Sequence, residues 1–119
     1  MEFHSVTPIL RIFDITKADE FYQEFLGFKV DWNHRFDASA PIYRQISRDG
    51  LVLHLSEHHG DGSPGANIRV SMKGLLEYHA ELESKQYRFM RPGIEEGPVP
   101  EIKEMTVIDP FGNRITFFE

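Results

Sequence analysis

A gap-free internal match between the middle and the end of the chain is the feature that most restricts its fold. Shifted forward by 62 residues, Arg44–Glu57 (RQISRDGLVLHLSE) lies on Thr106–Glu119 (TVIDPFGNRITFFE). The match places Ile46 on Ile108, Gly50 on Gly112, Leu53 on Ile115, Leu55 on Phe117 and Glu57 on Glu119. The pattern indicates a duplicated module.

A second pair of segments supports the duplication. Thr7–Ile12 and Asn67–Met72 lie 60 residues apart, and each precedes a run of apolar residues with helical spacing. Each half then indicates a strand, a helix and two or three further strands. Because a period of about 60 exceeds the short periods of solenoids, two paired modules fit better than a repeat array. We therefore expect one site built from symmetry-equivalent positions of both halves.

Composition restricts the class of protein. The 119 residues suit one domain with its own core. No apolar run approaches the roughly 18 residues that span a membrane, and the start MEFHSVTP lacks a signal-peptide pattern, so we expect a cytoplasmic protein with no membrane partner. The absence of cysteine excludes disulfides, thiolate metal sites and a cysteine nucleophile. With 19 acidic against 13 basic residues, a nucleic-acid partner is not expected.

In the first half, Ser5–Phe13 alternates and predicts the first strand. Thr16 is the predicted N-cap of a helix, and Gly27 has the place of a left-handed residue after its end. The apolar face of this helix consists of Ala18, Phe21, Tyr22, Phe25 and Leu26. Three strands are predicted at Phe28–Asn33, Ile42–Ser47 and Leu51–Ser56, with a loop at His34–Pro41 and an Asp-Gly hairpin turn at Arg48–Gly50.

In the second half, the glycine-rich Glu57–Gly65 predicts a long mobile connector. A strand at Ala66–Met72 then precedes a helix whose apolar stripe is Leu75, Tyr78, His79 and Leu82. Tyr87–Met90 predicts a short strand and Arg91–Pro100 a flexible loop, because three prolines and two glycines disfavour regular structure there. Glu104–Ile108 and Arg114–Phe118 predict a closing hairpin around Asp109–Asn113.

The segment TPILRIFDITKADEFYQEFLGF, the second helix and the closing DPFGNRITFF resemble the vicinal oxygen chelate superfamily. This group contains glyoxalase I, extradiol dioxygenases and bleomycin-resistance proteins, and the last branch is the most similar. The resemblance implies a single α+β domain over residues 1–119. It would consist of two paired βαβββ modules, at about 1–60 and 61–119, whose mixed sheets form a cup around a ligand site.

The metalloenzymes of this superfamily hold a divalent ion with His or Glu from the first and last strands of each module. The resemblance places those positions at Thr7, His54, Asn67 and Thr116. Only His54 is a normal ligand, whereas a catalytic ion needs several His or carboxylate donors. We therefore predict no metal and no cofactor. Alternatively His58, His59, Glu57 and Asp61, just beyond the fourth strand, supply the missing donors, although loop histidines are usually solvated.

Catalysis by a nucleophile is not indicated either. The serines lack a G-x-S-x-G elbow, and no glycine run has the spacing of a phosphate-binding loop. Glu104 is a candidate general base, but an exposed strand face explains it equally well. No catalytic residue is therefore predicted.

The remaining expectation is a binding cup similar to that of bleomycin-resistance proteins, which sequester a bulky cationic glycopeptide. Trp32 and Phe36 follow LGF at places similar to those where that family stacks aromatic rings on its ligand, although core packing is an alternative for Trp32. A Trp-Gly pair often seen in those relatives is replaced by Gly97–Glu101, and an inward Arg69 would disfavour a cationic ligand.

We therefore predict a metal-independent small-molecule binding protein that forms a homodimer. The predicted cup residues are Trp32, Phe36, His54, Asn67, Arg69 and Thr116. The alternative is a glyoxalase- or dioxygenase-like metalloenzyme that uses His54 with the loop histidines. A third possibility is a scaffold whose cup packs a dimer core.

Overall fold

A computed structural model describes residues 1–119, which divide into two compact units, Met1–Pro64 and Gly65–Glu119. The first unit contains β1 (Ile9–Arg11), α1 (Ile15–Ala18) continuing as a π-helix (Asp19–Phe25), β2 (Lys29–Arg35), β3 (Ile42–Arg48) and β4 (Leu51–Ser56). The second contains β5 (Asn67–Ser71), α2 (Leu75–Ser84), β6 (Ile94–Glu96), β7 (Lys103–Ile108) and β8 (Arg114–Phe118). Each unit is a βαβββ module, which confirms the predicted α+β class. None of the helices is long and apolar enough to cross a membrane.

Both units build a four-stranded mixed sheet with the same topology. The strand order is β1-β4-β3-β2 in the first sheet and β5-β8-β7-β6 in the second. In each sheet the first strand of the module is parallel to the last, and the other pairs are antiparallel. Ile9 lies opposite His54, and Arg69 lies opposite Thr116. The internal match therefore reflects a repeated strand register.

One part of the predicted match is wrong by one residue. Ile46 lies opposite Leu53 in the first sheet, and the residue opposite Ile115 in the second is Val107 rather than Ile108. Ile46 and Val107 are fully buried, whereas Ile108 is 39% exposed. The second hairpin turn holds one additional residue between equivalent positions, and a gap-free alignment does not allow for it.

The first helical segment buries all five residues of its predicted apolar face, and Gly27 has a φ of 82° at its end, as predicted. The predicted N-cap is wrong. The helix begins at Ile15, and the Asp14 carboxylate accepts the N–H of Lys17, so Thr16 lies within the first turn. The π-helical turn, in which the Leu26 N–H reaches the Phe21 carbonyl, was not predicted.

In the second unit, helix α2 and one face of the sheet form a core, which confirms three of the four residues of the predicted stripe; the fourth, His79, is only half-buried and donates to the Pro92 carbonyl. Leu75, Tyr78 and Leu82 are buried together with the inward residues of β7 and β8. The rings of Tyr78 and Phe117 meet edge to face with centroids 5.2 Å apart.

Several predicted strand boundaries are wrong. Tyr87–Met90 is a turn, and β6 lies within the segment predicted as a loop, because pairing of Ile94–Glu96 with β7 decides where this edge strand forms. β1 has only three residues, since only these pair with β4. The predicted loop at His34–Pro41 begins two residues later, after Arg35.

The connector Glu57–Gly65 is irregular, as predicted, but it is attached to the first sheet. The Ser56 hydroxyl donates to Asp61, and the Arg11 guanidinium donates to the carbonyl of His58. These bonds fix the connector beside the edge formed by β1.

Candidate functional site

One face of the first sheet is polar and aromatic and is not covered by the helix of its unit. Side chains alternate between the faces of a strand: Leu53 and Leu55 point into the core, so His54 points to the other side. The residues on this open face include Asp31, Trp32, Tyr43, Gln45, Ser47 and His54, and His34 lies there too, opposite Tyr43. A β-bulge between Val30 and Trp32 places consecutive residues Asp31 and Trp32 on the same side.

Three aromatic rings form the centre of the open face. Trp32 stacks on Tyr43 with centroids 6.1 Å apart and an interplanar angle of 14°. His54 meets both rings edge-on, at 5.3 Å from Trp32 and 5.1 Å from Tyr43. Trp32 is 42% exposed, so it does not belong to the core, and much of its indole is accessible to another ring. The cluster is suited to stacking against a planar group.

Hydrogen bonds fix the orientation of these rings. His54 Nδ1 lies 2.7 Å from the Tyr43 hydroxyl, and His54 Nε2 lies 3.0 Å from Gln45 Oε1. Gln45 Nε2 donates to Asp31 Oδ2 at 3.0 Å, and the Ser47 hydroxyl donates to Asp31 Oδ1. These five polar side chains are therefore joined in one continuous network.

This arrangement shifts the pKa values of Asp31 and Tyr43. The hydrogen bonds from Gln45 and Ser47, aided by the charge of Lys29, lower the pKa of Asp31. Burial raises the pKa of Tyr43, and the negative charge of Asp61 raises it further. At neutral pH, Asp31 is therefore a carboxylate and Tyr43 a neutral phenol.

The residues at the four metal positions of the superfamily do not fit a catalytic divalent ion. Both ring nitrogens of His54 are hydrogen-bonded within the network. The hydroxyl of Thr116 is paired with that of Thr106 at 2.8 Å. Thr7 is an exposed residue outside β1, and Asn67 offers only an amide on β5. No three His, Asp or Glu side chains are grouped so that they could hold a metal ion.

The second sheet also has an open face, but its chemistry is different. The Arg69 guanidinium donates to Glu104 at 3.1 Å and lies 4.7 Å over the ring of Phe118. Because Glu104 compensates the charge of Arg69, this arginine is a weaker obstacle to a cationic ligand than the sequence suggested. Glu104, a candidate base from the sequence, is a partner in this ion pair.

The six predicted site residues fall into two groups, one in each unit. Trp32 and His54 lie in contact on the first sheet, whereas Phe36 lies in the loop after β2 and is 89% exposed, outside the aromatic cluster. Arg69 and Thr116 are neighbours on the second sheet, with Asn67 two residues earlier on β5.

The sequence reasoning missed Tyr43 and Gln45. A two-residue loop at Asp49-Gly50 fixes the register of its hairpin and places Gln45 opposite His54. With the alternation along β3, this register would have placed both residues beside His54. No comparable sequence signal predicts the bulge at Asp31.

A family model described as glyoxalase superfamily protein matches residues 1–119. The chain belongs to the glyoxalase superfamily. The bleomycin-resistance fold predicted above is thereby confirmed together with the family. No curated protein matches the sequence at a significant level.

Solved structures show the same glyoxalase-superfamily fold. A bleomycin-binding protein complexed with bleomycin is 21% identical over 98% of each chain, with a TM-score of 0.69. An antibiotic-binding protein from Streptomyces sp. CB03234 is 19% identical over 98% of this chain and 96% of its own, with a TM-score of 0.70. A glyoxalase-related enzyme from Clostridium phytofermentans is 18% identical over 100% and 96%, with a TM-score of 0.76. At these identities the likeness establishes the fold alone.

Proposed function

We propose that this superfamily member is a metal-independent small-molecule binding protein that resembles the bleomycin-resistance proteins and sequesters its ligand unchanged. The observation that carries the proposal is the exposed ring cluster of Trp32, Tyr43 and His54, in which both imidazole nitrogens are already hydrogen-bonded. Such a cluster offers stacking area, and it leaves neither nitrogen of His54 free for a metal.

The geometry favours binding because the rings are held in place before a ligand arrives. Trp32 is supported by Tyr43 and His54, and His54 is supported by Gln45, so little side-chain freedom remains to be lost on binding. An aromatic contact contributes about 0.5–1.5 kcal/mol beyond the area it buries. A planar ligand is therefore the class that this face suits best.

The structural relatives support an antibiotic-like ligand, since two of them are described as bleomycin-binding and antibiotic-binding proteins. Phe36 is proposed as a second aromatic contact, because a ring so exposed gains from being covered by a ligand. Participation of Asn67, Arg69 and Thr116 in the same site stays a prediction from the superfamily resemblance. An antibiotic-resistance role, a homodimer and a cytoplasmic location also stay predictions.

Titration of the single tryptophan tests the proposal. A planar antibiotic that stacks on Trp32 should change its fluorescence with saturable, one-site behaviour. Bleomycin belongs in the panel, and we expect it to bind weakly because the Trp-Gly pair of the antibiotic-binding relatives is absent. If no planar compound shows saturation at millimolar concentration, the binding proposal is wrong.

Elemental analysis of protein purified without a histidine tag separates this proposal from the metalloenzyme alternative. We expect no stoichiometric transition metal, because His54 is the only strong donor at the four metal positions. One equivalent of zinc, nickel, iron or manganese that is lost in His54→Ala would favour the enzyme instead.

Sedimentation at tens of micromolar tests the predicted homodimer. The chain has a mass of 13.8 kDa, so the dimer is easily distinguished from the monomer. A species of monomer mass at that concentration would refute this prediction without affecting the binding proposal.

A further inference from the structure

The hydrogen bonds of the open face of the first sheet form a chain with one direction. The chain runs from the Tyr43 hydroxyl to His54, from His54 to Gln45, and from Gln45 to Asp31. Its direction is set at the Asp31 end. An ionised carboxylate has no hydrogen to donate, so it must accept from every partner.

Gln45 transmits this constraint to His54. Because Asp31 Oδ2 accepts, the amide nitrogen of Gln45 must face it, and Gln45 Oε1 then faces His54 Nε2. An amide oxygen can only accept, so Nε2 carries the hydrogen of the neutral imidazole. Asp31 and Gln45 thus select the Nε2–H tautomer of His54.

His54 in turn fixes the hydroxyl of Tyr43. In this tautomer Nδ1 has a lone pair and no hydrogen, so the bond of 2.7 Å is made by the Tyr43 O–H donating to Nδ1. The only hydrogen of the phenol is therefore used inside the protein. The Tyr43 oxygen keeps lone pairs and can offer a ligand nothing but an acceptor.

We propose that Tyr43 makes the open face selective for planar ligands that carry an N–H or O–H donor beside their ring, and that it disfavours ligands presenting only an acceptor there. This inference rests on the proposed function, since it concerns the ligand of the same face. Trp32 provides the ring contact, and the Tyr43 ring lies beside it with centroids 6.1 Å apart. Asp31 and Gln45 are positioning residues that act through His54.

Two neutral probes with the same ring system isolate the hydrogen bond from charge. 2-Naphthol has a hydrogen to donate and 2-methoxynaphthalene has none. Calorimetry at pH 7.5 should show the naphthol binding about tenfold more tightly, the scale of one hydrogen bond. In Tyr43→Phe, which keeps the ring, the preference should disappear while binding of the methoxy compound changes little.

Each result bears on a different claim. Equal affinity for the two probes, or a naphthol preference that survives in Tyr43→Phe, would overturn the donor selectivity and leave planar-ligand binding intact. Binding of neither probe would overturn the selectivity, and the proposed function falls with it only if the planar antibiotics of the fluorescence titration also fail to bind.

Nitrogen NMR tests the direction of these hydrogen bonds in the absence of any ligand. In protein labelled with ¹⁵N-histidine, the His54 signals, identified by their loss in His54→Gln, should show the Nε2-protonated pattern at pH 7.5. Tyr43→Phe should shift the Nδ1 resonance, because that nitrogen loses its donor, and Gln45→Leu should shift Nε2. An Nδ1-protonated pattern in the unaltered protein would overturn the proposed direction of the chain.

Discussion

The open faces of the two sheets share one strand register but carry different chemistry. His54 corresponds to Thr116, and Gln45 corresponds to Thr106, each pair facing across the equivalent hairpin. In the first sheet these positions belong to a network with two aromatic rings, and in the second they form an isolated hydroxyl pair. The same backbone frame therefore supports a stacking surface on one unit and a small polar surface on the other.

The inward positions of the two sheets have diverged less. Leu53 corresponds to Ile115 and Leu55 to Phe117, and all four residues are buried. Close packing limits which side chains fit inside, whereas an open face tolerates exchange. One inward position breaks this rule: Arg44 in the first sheet corresponds to Met105 in the second.

The largest expected difference between the units lies in their last hairpin turns. Asp109 is buried and accepts the N–H groups of Phe111 and Asn113 as well as the Asn113 amide. Asp109→Ala leaves these donors without their acceptor and should lower the free energy of unfolding by about 3 kcal/mol.

Asp49→Asn in the first turn is the comparison, since that side chain is 92% exposed and asparagine tolerates the positive φ of 47°, so this change should cost less than about 0.5 kcal/mol. Urea denaturation with unchanged slope measures both effects. Similar losses in the two variants would show that the turns are equivalent after all.

A somewhat smaller effect should distinguish the two open faces in ligand binding. Trp32→Leu should weaken binding of a planar ligand by about 2 kcal/mol, because it removes the exposed aromatic anchor.

Phe36→Ala should weaken binding of the planar ligand by about 1–3 kcal/mol with a nearly unchanged melting temperature, because the Phe36 ring is exposed.

Calorimetry is the appropriate measurement, since Trp32→Leu removes the fluorescence signal. Arg69→Leu in the second sheet is the matched test. A loss there equal to that of Trp32→Leu would show that both faces contribute to one site, as the superfamily resemblance implies.

The inward position at which arginine in the first unit corresponds to methionine in the second gives the next prediction. Arg44→Met should lower the free energy of unfolding by about 1–2 kcal/mol. Arg44 is buried, pairs with Asp19 and donates to Asn33 at 2.9 Å. Methionine fills the site as Met105 does in the second unit, and the partly exposed Asp19 remains solvated. Arg44→Ala should cost more, because it also leaves a cavity. An Arg44→Met variant more stable than the unaltered protein would mean that the ion pair is retained for a reason other than stability.

The smallest expected effect concerns the start of helix α2. Glu119 accepts the N–H groups of Leu75 and Gly74, and these bonds lower its pKa below 4.5. Because the folded pKa is depressed, this contribution is complete above pH 4.5 and is lost as the pH falls through the folded value. The stability difference between the unaltered protein and Glu119→Gln should therefore be constant near neutral pH and change below pH 4.5. A difference independent of pH would contradict this role.

Much of the fold follows from local patterns. The buried face of the first helix, the helix α2 and five of the strands (β3, β4, β5, β7 and β8) lie where spacing and alternation predict them, because these patterns record which side chains must leave water. The Asp-Gly pair likewise predicts its turn, since both residues have positive φ. The recurrence of these signals at 60 and 62 residues predicts two modules.

The sequence by itself determined which faces are buried and that the fold is duplicated. Only the tertiary structure decided which residues meet on the open face. β6 forms where β7 offers a partner, and the bulge at Asp31 turns two consecutive side chains to one side. His54 is recognisable from the sequence, but its partners Tyr43 and Gln45 come from another strand. Alternation reports the side of a sheet on which a residue lies, whereas strand register, which is not local, decides its neighbours.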